Sequence, residues 1–155
     1  MSRLNRYVVF VVDDQQFALD LGRVKQVVNM VELISLPMAP NHVAGTINYH
    51  GTFLPVINIR KLFQLTERDV ELNDQLIIVQ TPKIEMALWV DEVLEMVSAL
   101  DDQISTTEKV YLEFEAVKGI LKLNNKMVLL SDLDQFLSAD QIMLLTEAIQ
   151  MKITD

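Results

Sequence analysis

The feature that most constrains the fold of this chain is an internal repeat of β-hairpin patterns. Residues 7–21, YVVFVVDDQQFALDL, place two apolar runs around a polar turn, and residues 75–90, QLIIVQTPKIEMALWV, have the same form. Apolar runs joined by a short polar turn are typical of β-hairpins. The two segments align after a one-residue adjustment in the turn, which places residues 8–11 on residues 76–79. The pattern therefore indicates a duplicated β unit.

A second pair of segments supports the duplication. Residues 45–63, GTINYHGTFLPVINIRKLF, align without a gap on residues 119–137, GILKLNNKMVLLSDLDQFL, and Gly45 falls on Gly119. The turn of each segment contains residues that tolerate a positive φ, as tight hairpins require. Several short strands at this spacing favour a mainly β fold of small barrels or sandwiches over alternating strands and helices.

The domain organisation follows from the repeat. We expect a single domain over residues 1–155, with subdomain 1 at residues 7–66 and subdomain 2 at residues 74–137, joined by a polar and acidic connector. The sequence SADQIMLLTEAIQM begins with a capping-box spacing and continues with apolar residues at helical intervals. It predicts a C-terminal helix over residues 138–151.

Two prolines modify the strand pattern. Pro55 interrupts a strand pattern, which predicts that this strand lies at a sheet edge or carries a bulge. Proline also suits the first turn of a helix, so a short helical turn is expected over residues 40–44.

Charge and composition exclude several kinds of partner. Thirteen basic and twenty-two acidic residues give a formal net charge of −9, and the basic residues do not cluster, which disfavours nucleic acid and anionic lipid. The absence of cysteine excludes disulfides and thiolate metal sites. Asp13 and Asp14 end the N-terminal apolar run before it reaches the length of a signal sequence or membrane span. We expect a cytoplasmic protein without membrane insertion.

The sequence lacks a recognisable catalytic or metal-binding motif. Its two histidines are His42 and His50, and no serine has the context of a nucleophile elbow. Asp132 and Asp134 have the spacing of the start of a calcium loop, but Phe136 occupies the next ligand position. We therefore expect no enzymatic activity, no cofactor and no metal. The alternative is a small enzyme with His50 as general base, although no partner acid lies near it in the sequence.

One segment carries a family resemblance. Residues 43–63, VAGTINYHGTFLPVINIRKLF, resemble the most recognisable segment of the CheW family, the coupling proteins of bacterial chemotaxis arrays. The positions that match the family pattern are Gly45, Ile47, Asn48, Gly51, Pro55, Val56, Ile57, Arg60 and Phe63. The segments FALDLGRVKQVV, VDEVLEMVSA and KMVLLSDLDQFLSADQIMLL are also similar to family segments in the same order, so the resemblance covers residues 7–149.

The resemblance implies a fold and a function. The fold is two intertwined five-stranded SH3-like barrels with a C-terminal helix. The function is that of a non-enzymatic adaptor that couples the cytoplasmic tip of a methyl-accepting chemoreceptor to the regulatory domain of a CheA-type histidine kinase. Recruitment to membrane receptor arrays goes with that function. The alternatives are a divergent CheW-like regulatory module that binds the kinase only, and an adaptor of a chemotaxis-like pathway for surface motility.

The resemblance also implies where partners bind. The residues expected to take part are Val24, Gln26, Gly45, His50, Gly51, Leu54, Val56, Arg60 and Leu76. The family usually has glutamate at position 26 and arginine at position 50, thought to form an ion pair. In this chain, Gln26 and His50 are expected to replace that pair with a hydrogen bond. The kinase is expected to dock on apolar surface near Val24 and residues 54–59.

Overall fold

The structure is a computed structural model that describes residues 3–105 and 115–154. In those residues the strands are β1 (Leu4–Val12), β2 (Gln15–Asp20), β3 (Val24–Asn29), β4 (Val43–Tyr49), β5 (Thr52–Asn58), β6 (Gln75–Gln80), β7 (Glu85–Val90), β8 (Glu92–Leu100), β9 (Ile104–Ser105), β10 (Val117–Leu123) and β11 (Lys126–Ser131). The helices are α1 (Ile59–Leu62) and α2 (Ala139–Thr154), and single 3₁₀ turns lie at Leu21–Arg23, Asp101–Gln103 and Leu133–Gln135. None of the helices in this described part of the chain has the length and apolar composition needed to cross a membrane.

The strands form two sheets that exchange strands between the halves of the sequence. The six-stranded sheet has the order β8-β1-β2-β11-β10-β9, and the five-stranded sheet has the order β3-β6-β7-β5-β4. Each sheet thus draws strands from both residues 7–66 and residues 74–137. The prediction of a mainly β, intertwined, SH3-like fold with a C-terminal helix is confirmed. Two details differ, since β9 adds a sixth strand to one sheet and the described ladders do not close either sheet into a barrel.

The register shows that the two sheets are the same unit built twice. In the five-stranded sheet, the parallel pair β5 and β7 places Val56 opposite Ala87. In the six-stranded sheet, the parallel pair β11 and β2 places Leu130 opposite Ala18. These positions are equivalent in the sequence repeat, so β1, β2, β3, β4 and β5 correspond to β6, β7, β8, β10 and β11.

The alignment of the first hairpin with its repeat is wrong by one residue. Val9 lies opposite Ala18, whereas Ile78 lies opposite Ala87, so Val9 corresponds to Ile78 and the turns need no adjustment. The physical reason is that both runs are almost continuously apolar. A run without alternation does not fix its own register, which here is set by pairing with neighbouring strands.

The strands are continuously apolar because their two faces pack into different cores. Along β1, Phe10 belongs to a central core shared by both sheets and α2, whereas its neighbour Val9 belongs to a smaller core of the six-stranded sheet. Aromatic rings run through the central core, with ring centroids 5.4 Å apart for Phe10 and Phe17, 4.8 Å for Phe17 and Phe63, and 6.2 Å for Phe63 and Phe136. Successive side chains of a strand point to opposite faces, so both faces are buried here.

The predicted capping box is present at the start of α2. The Gln141 N–H donates to Ser138 Oγ at 3.1 Å, and the Ser138 N–H donates to Gln141 Oε1 at 2.9 Å. This exchange satisfies two backbone donors that a helix start leaves unpaired. The helix continues to Thr154, three residues beyond the predicted end.

The predictions from the two prolines are wrong. The strand of Pro55 is internal, because β5 lies between β4 and β7, and the irregularity in its ladder with β4 lies between Val43 and Gly45 rather than at Pro55. The ladder with β7 begins only at Val56, so Pro55 precedes the doubly paired part of β5, where a proline is tolerated. Residues 40–44 do not form a helical turn. Instead, the Val43 N–H donates to Pro40 O at 2.9 Å in a turn that leads directly into β4.

Candidate protein-binding site

The exposed members of the predicted site lie where the two outer strands of the five-stranded sheet approach each other. Gln26 lies on β3, and His50 and Gly51 form the tip of the β4–β5 hairpin, all three exposed, while Val24 is half-buried. The hydroxyl of Tyr49, at the end of β4, donates to Gln26 Oε1 at 2.6 Å. No backbone ladder in the described residues joins β3 to β4. This side-chain bond therefore links the two edges of the curled sheet.

Two further residues complete an edge cluster, which we define as Lys25, Gln26, Tyr49, His50 and Glu85. Lys25 forms an ion pair with Glu85, and Lys25 Nζ lies 5.9 Å from the centre of the Tyr49 ring. The hydrogen bond to Glu85 raises the pKa of Lys25. The rings of Tyr49 and His50 meet edge to face, 4.4 Å apart. The cluster therefore presents aromatic and polar groups with its one cation neutralised by its one carboxylate.

The backbone explains why His50 lies at the hairpin tip. His50 has φ of 53° and Gly51 has φ of 89°, as tight hairpin turns require, and the Gly51 N–H donates to Asn48 Oδ1 at 2.8 Å. The equivalent turn uses Asn124 and Asn125, with φ of 50° and 64°. A positive φ is uncommon outside glycine, and histidine is among the residues that tolerate it. The turn alone thus accounts for the positive φ of His50, without a contribution from a partner.

The expected hydrogen bond between Gln26 and His50 is not the contact that the structure shows. Tyr49 is the partner of Gln26 instead. Tyr49 belongs to the strand, from which its phenol reaches β3, whereas His50 belongs to the turn and packs on the Tyr49 ring. The sequence signal was present, because a tyrosine directly before a hairpin turn carries both a ring and a hydroxyl that seek partners.

The strand below the edge cluster is not available for direct contact. Leu54 is 2% exposed, and Val56 and Leu76 are fully buried in the core of the five-stranded sheet. Residues 54–59, along which a partner was expected to dock together with the surface near Val24, are all buried. These side chains pack in the core beneath the edge cluster and hold its strands in place.

Gly45 also has a structural explanation. It is buried in β4 with φ of 151°, and a Cβ at this position would lie 2.6 Å from the backbone oxygen of Ile34. Ile34 pairs with Thr46 through two backbone hydrogen bonds of 2.8 Å. Glycine is required here because another segment of the chain crosses it at close range.

Arg60 belongs to a connector network, which we define as Arg60, Arg68, Asp74, Trp89 and Asp91. Arg60 is 4% exposed and holds Asp91 with two contacts of 2.8 and 2.9 Å. Arg68, in the connector, donates to Asp91 at 2.9 Å and to Asp74 at 2.7 and 2.9 Å. The indole N–H of Trp89 donates to Asp74 at 2.9 Å. The network thus ties the connector to α1 and to the junction of β7 with β8.

The same network reaches the six-stranded sheet and shifts two pKa values. The backbone N–H of Asp13, in the β1–β2 turn, donates to Asp91 Oδ2 at 2.9 Å. Burial opposes ionisation of Asp74, but hydrogen bonds from Arg68, a backbone N–H and Trp89 outweigh it and hold the pKa of Asp74 below its usual value. The hydrogen bond to Asp74 raises the pKa of Arg68. Both groups are charged and paired, as a structural network requires.

Within the described part of the chain, the arrangement around the two histidines provides no acid–base partner. His42 Nε2 lies 2.7 Å from the backbone oxygen of Phe136, and His50 packs on Tyr49. The contacts within residues 3–105 and 115–154 include no carboxylate or serine hydroxyl at either imidazole. In the same residues, no group of three or more histidine, aspartate or glutamate side chains is arranged to hold a metal ion.

The structure thus combines two interlocked SH3-like sheets, an exposed edge cluster and a partly buried connector network. The sequence model of the CheW-like domain matches residues 6–141, and the chain belongs to this family. A chemotaxis protein CheW from Thermotoga maritima is 23% identical over 128 residues, which cover 83% of this chain and 84% of that protein. One from Bacillus subtilis is 25% identical over 137 residues, with 87% and 88% covered.

A solved structure agrees with the family assignment. The scaffolding protein TtCheW from Thermoanaerobacter tengcongensis matches with a TM-score of 0.81 and 27% sequence identity. The match covers 90% of this chain and 91% of that protein. The likeness therefore includes both sheets rather than one repeat.

Proposed function

We propose that this protein is a non-enzymatic adaptor that couples the cytoplasmic tip of a chemoreceptor to a CheA-type histidine kinase. The observation that carries the proposal is the match of both sheets to a scaffolding protein, together with family membership across residues 6–141. An adaptor needs two binding surfaces and no reacting group. Two interlocked sheets with different edges suit that requirement.

The receptor is proposed to bind the edge cluster. Gln26, His50 and Gly51 are exposed there, and Tyr49 holds the two strands that carry them. Gly45, Leu54, Val56, Leu76 and Arg60 have a supporting part in this proposal, because they fix the sheet and its junction beneath these residues. A receptor segment that fits this surface offers hydrogen-bond partners and an apolar side chain for the Tyr49 ring rather than a fixed charge.

The kinase is proposed to bind near Val24. This residue is half-buried at the start of β3, where it packs against the central core and keeps part of its side chain accessible. A standard interface buries about 1,600 Å² in total, with a few anchors supplying most of the binding energy. Val24 is proposed as one such anchor, and Val24→Asp is expected to weaken kinase binding without unfolding the protein.

A second candidate function has support at the same cluster. Gln26 and His50 stand where the family resemblance places glutamate and arginine, so this chain lacks that pair of opposite charges. A divergent module that binds only the kinase, or an adaptor for a surface-motility pathway with its own receptor, would account for the change. These alternatives differ from the main proposal in which receptor, if any, is bound.

Isothermal titration calorimetry with separate partners tests the proposal. The partners are the kinase regulatory domain and a receptor cytoplasmic fragment from the same genome. The adaptor is expected to bind both, with His50→Ala weakening only the receptor and Val24→Asp weakening only the kinase. Binding to the kinase alone would support the kinase-only module. Binding to neither, by protein whose circular dichroism is native, would contradict both readings.

A further inference from the structure

An open groove beside the first strand combines basic and apolar side chains. We define the basic groove by Arg3, Leu4, Arg6, Leu21 and Arg23, which together with Asn5, Asp20 and Gly22 surround a volume of about 640 Å³. It lies on the six-stranded sheet, where β1 begins and β2 ends. The edge cluster belongs to the five-stranded sheet, so the two surfaces are carried by different sheets.

The charge of the groove contrasts with the charge of the chain, which is −9. The arginines of the connector network are paired with carboxylates. Among the ion pairs of the described residues, Arg3 and Arg6 have no carboxylate partner. Arg23 lies 3.8 Å from Asp134, and the two side chains are 36% and 51% exposed, so their interaction is weak. Two guanidinium groups without an ion pair in the described residues and one weakly paired guanidinium group therefore lie at one place.

The carboxylate that lines the groove, Asp20, and the neighbouring Asp101 already have partners. Asp20 accepts a hydrogen bond from Lys118 Nζ at 3.1 Å. Asp101 accepts a hydrogen bond from the side-chain amide of Asn5. Neither carboxylate forms an ion pair with the arginines of the groove within the described residues. The groove thus has three arginines and one carboxylate, and that carboxylate is paired with Lys118.

The groove is also held in place before anything binds. The Asp101 N–H donates to the backbone oxygen of Arg3 at 3.0 Å, which fixes the start of β1 against the neighbouring 3₁₀ turn. Leu4 is 59% exposed and lies opposite Leu100, which is 37% exposed, across the pairing of β1 with β8. The exposed leucines of β1 and β8 therefore lie beside the arginines on paired strands, and a preorganised surface loses little entropy on binding.

We propose that the basic groove binds an acidic protein segment that carries apolar side chains beside its carboxylates. Guanidinium groups hold carboxylates through paired, charge-assisted hydrogen bonds, which makes arginine the suited partner. The apolar side chains of the segment cover Leu4 and Leu100 and remove their surface from water. The exposed leucines favour a protein segment over nucleic acid as the occupant, because nucleic acid has no aliphatic side chains with which to cover them.

Fluorescence anisotropy at low ionic strength tests the proposal. The probe is a labelled synthetic peptide of glutamate, leucine and serine, and its matched control has glutamine in place of every glutamate. The full-length protein is expected to bind the glutamate peptide and not the glutamine peptide. Arg3→Glu combined with Arg6→Glu is expected to raise the Kd by about tenfold or more, since charge reversal replaces attraction by repulsion. Leu4→Ser is expected to raise it by a smaller factor.

A matched variant separates local recognition from net charge. Lys122→Glu combined with Lys126→Glu makes the same charge change at exposed positions at the far end of the six-stranded sheet. This double variant is expected to bind the glutamate peptide with a Kd within about twofold of the parent value. Equal losses in both double variants, or equal binding of the two peptides, would overturn the proposal. Circular dichroism and thermal unfolding confirm that each variant is folded.

The other occupants of such a groove are outcomes of the same experiments. A short DNA duplex that binds more tightly than the acidic peptide, and is lost with Arg3→Glu and Arg6→Glu, would overturn the proposal in favour of nucleic acid. A concentration-dependent dimer in sedimentation that dissociates with the same substitutions would overturn it in favour of a second copy of this chain. None of these results bears on binding at the edge cluster, so failure here leaves the adaptor proposal standing.

Discussion

The two sheets share one architecture but differ at their outer edges. In the five-stranded sheet, Gln26 lies opposite Ile78, and in the six-stranded sheet Glu95 occupies the equivalent place opposite Val9. Where Tyr49 bridges to Gln26, the repeat has Leu123, which has no hydroxyl to donate. The six-stranded sheet has β9 paired with β10 instead. Duplication thus preserved the ladders and the cores, while the exposed edges acquired different chemistry.

The connector network differs between the repeats in the same way. The positions equivalent to Arg60, Asp74 and Asp91 are Asp134, Asn5 and Gly22, and they form no counterpart of the network in the described contacts. A duplicated chain has one connector between its halves, so one network is sufficient to hold it. The two sheets therefore differ at the connector network and at the edge cluster. Substitutions in each of these places test the difference.

The largest effect is expected for the connector network. Asp91→Ala leaves the buried Arg60 without its carboxylate, and removing one partner of a buried ion pair costs about 3–5 kcal/mol in free energy of unfolding. Asp134→Ala, at the position equivalent to Arg60, removes only a weak exposed pair and is expected to cost less than about 1 kcal/mol. Urea unfolding measures both values. Similar losses for the two variants would contradict the asymmetry.

The next largest effect is expected at Gly45. Gly45→Ala places a Cβ 2.6 Å from the Ile34 oxygen, and overpacking of this kind costs about 1–3 kcal/mol. Gly22→Ala is the control, since a Cβ there has nothing within 4 Å, and its free energy of unfolding should stay within about 1 kcal/mol of the parent protein. Thermal unfolding compares them. A loss of stability in Gly22→Ala as large as in Gly45→Ala would show that the close approach of the Ile34 oxygen does not cause the effect at Gly45.

A smaller, pH-dependent effect is expected at Asp74. Its pKa is lowered in the folded protein, so folding favours the ionised carboxylate. The resulting stability is present above the usual aspartate pKa of about 3.9 and is lost as the pH falls through the lower folded-state value. Asp74→Asn removes this contribution, so the unfolding free energies of parent and variant should converge in acid.

A neighbouring aspartate provides the control for this pH dependence. The exposed Asp69 contributes only its backbone oxygen to Arg68, so Asp69→Asn is expected to follow the pH profile of the parent protein. Denaturant midpoints measured from neutral pH to about pH 3 distinguish the two variants. A constant difference between parent and Asp74→Asn over the whole range would show that the carboxylate charge is not responsible.

The smallest effect is expected within the edge cluster. Tyr49→Phe and Gln26→Ala each remove the bond between the sheet edges, and a double-mutant cycle is expected to give a coupling of about 0.5–1 kcal/mol. The pair His50→Ala and Gln26→Ala is expected to be additive, because Tyr49 is the partner of Gln26. Coupling between His50 and Gln26 without coupling to Tyr49 would reverse this assignment.

Local patterns in the sequence predicted the repeated hairpins and the capped helix, because each depends on residues close together in the chain. They did not predict the register of β1 against its repeat, since a continuous run such as residues 8–12 offers no alternation. The place of Pro55 in an internal strand depends on where β7 begins to pair, which the proline itself does not signal. Local patterns therefore predicted the strands and the helix. Their register and their positions in the sheets depend on pairing between residues far apart in the sequence.

The candidate site shows the same limit. The resemblance identified the hairpin tip and β3, which the structure brings together, but the bond between them uses Tyr49 rather than His50. Family pattern also selected Leu54, Val56 and Leu76, which are buried. A pattern of residue types does not distinguish positions that shape a surface from positions that form it.

The most direct test of the adaptor proposal is a three-component assembly. The kinase regulatory domain is immobilised, and recovery of a receptor cytoplasmic fragment is measured with and without this protein. We expect the receptor to be recovered only when the protein is present. We also expect Gln26→Arg combined with His50→Glu, which places charges in the neutral edge cluster, to remove the receptor while the protein itself stays bound. Recovery of the receptor unchanged by this double variant, or no recovery with the parent protein, would contradict the adaptor proposal.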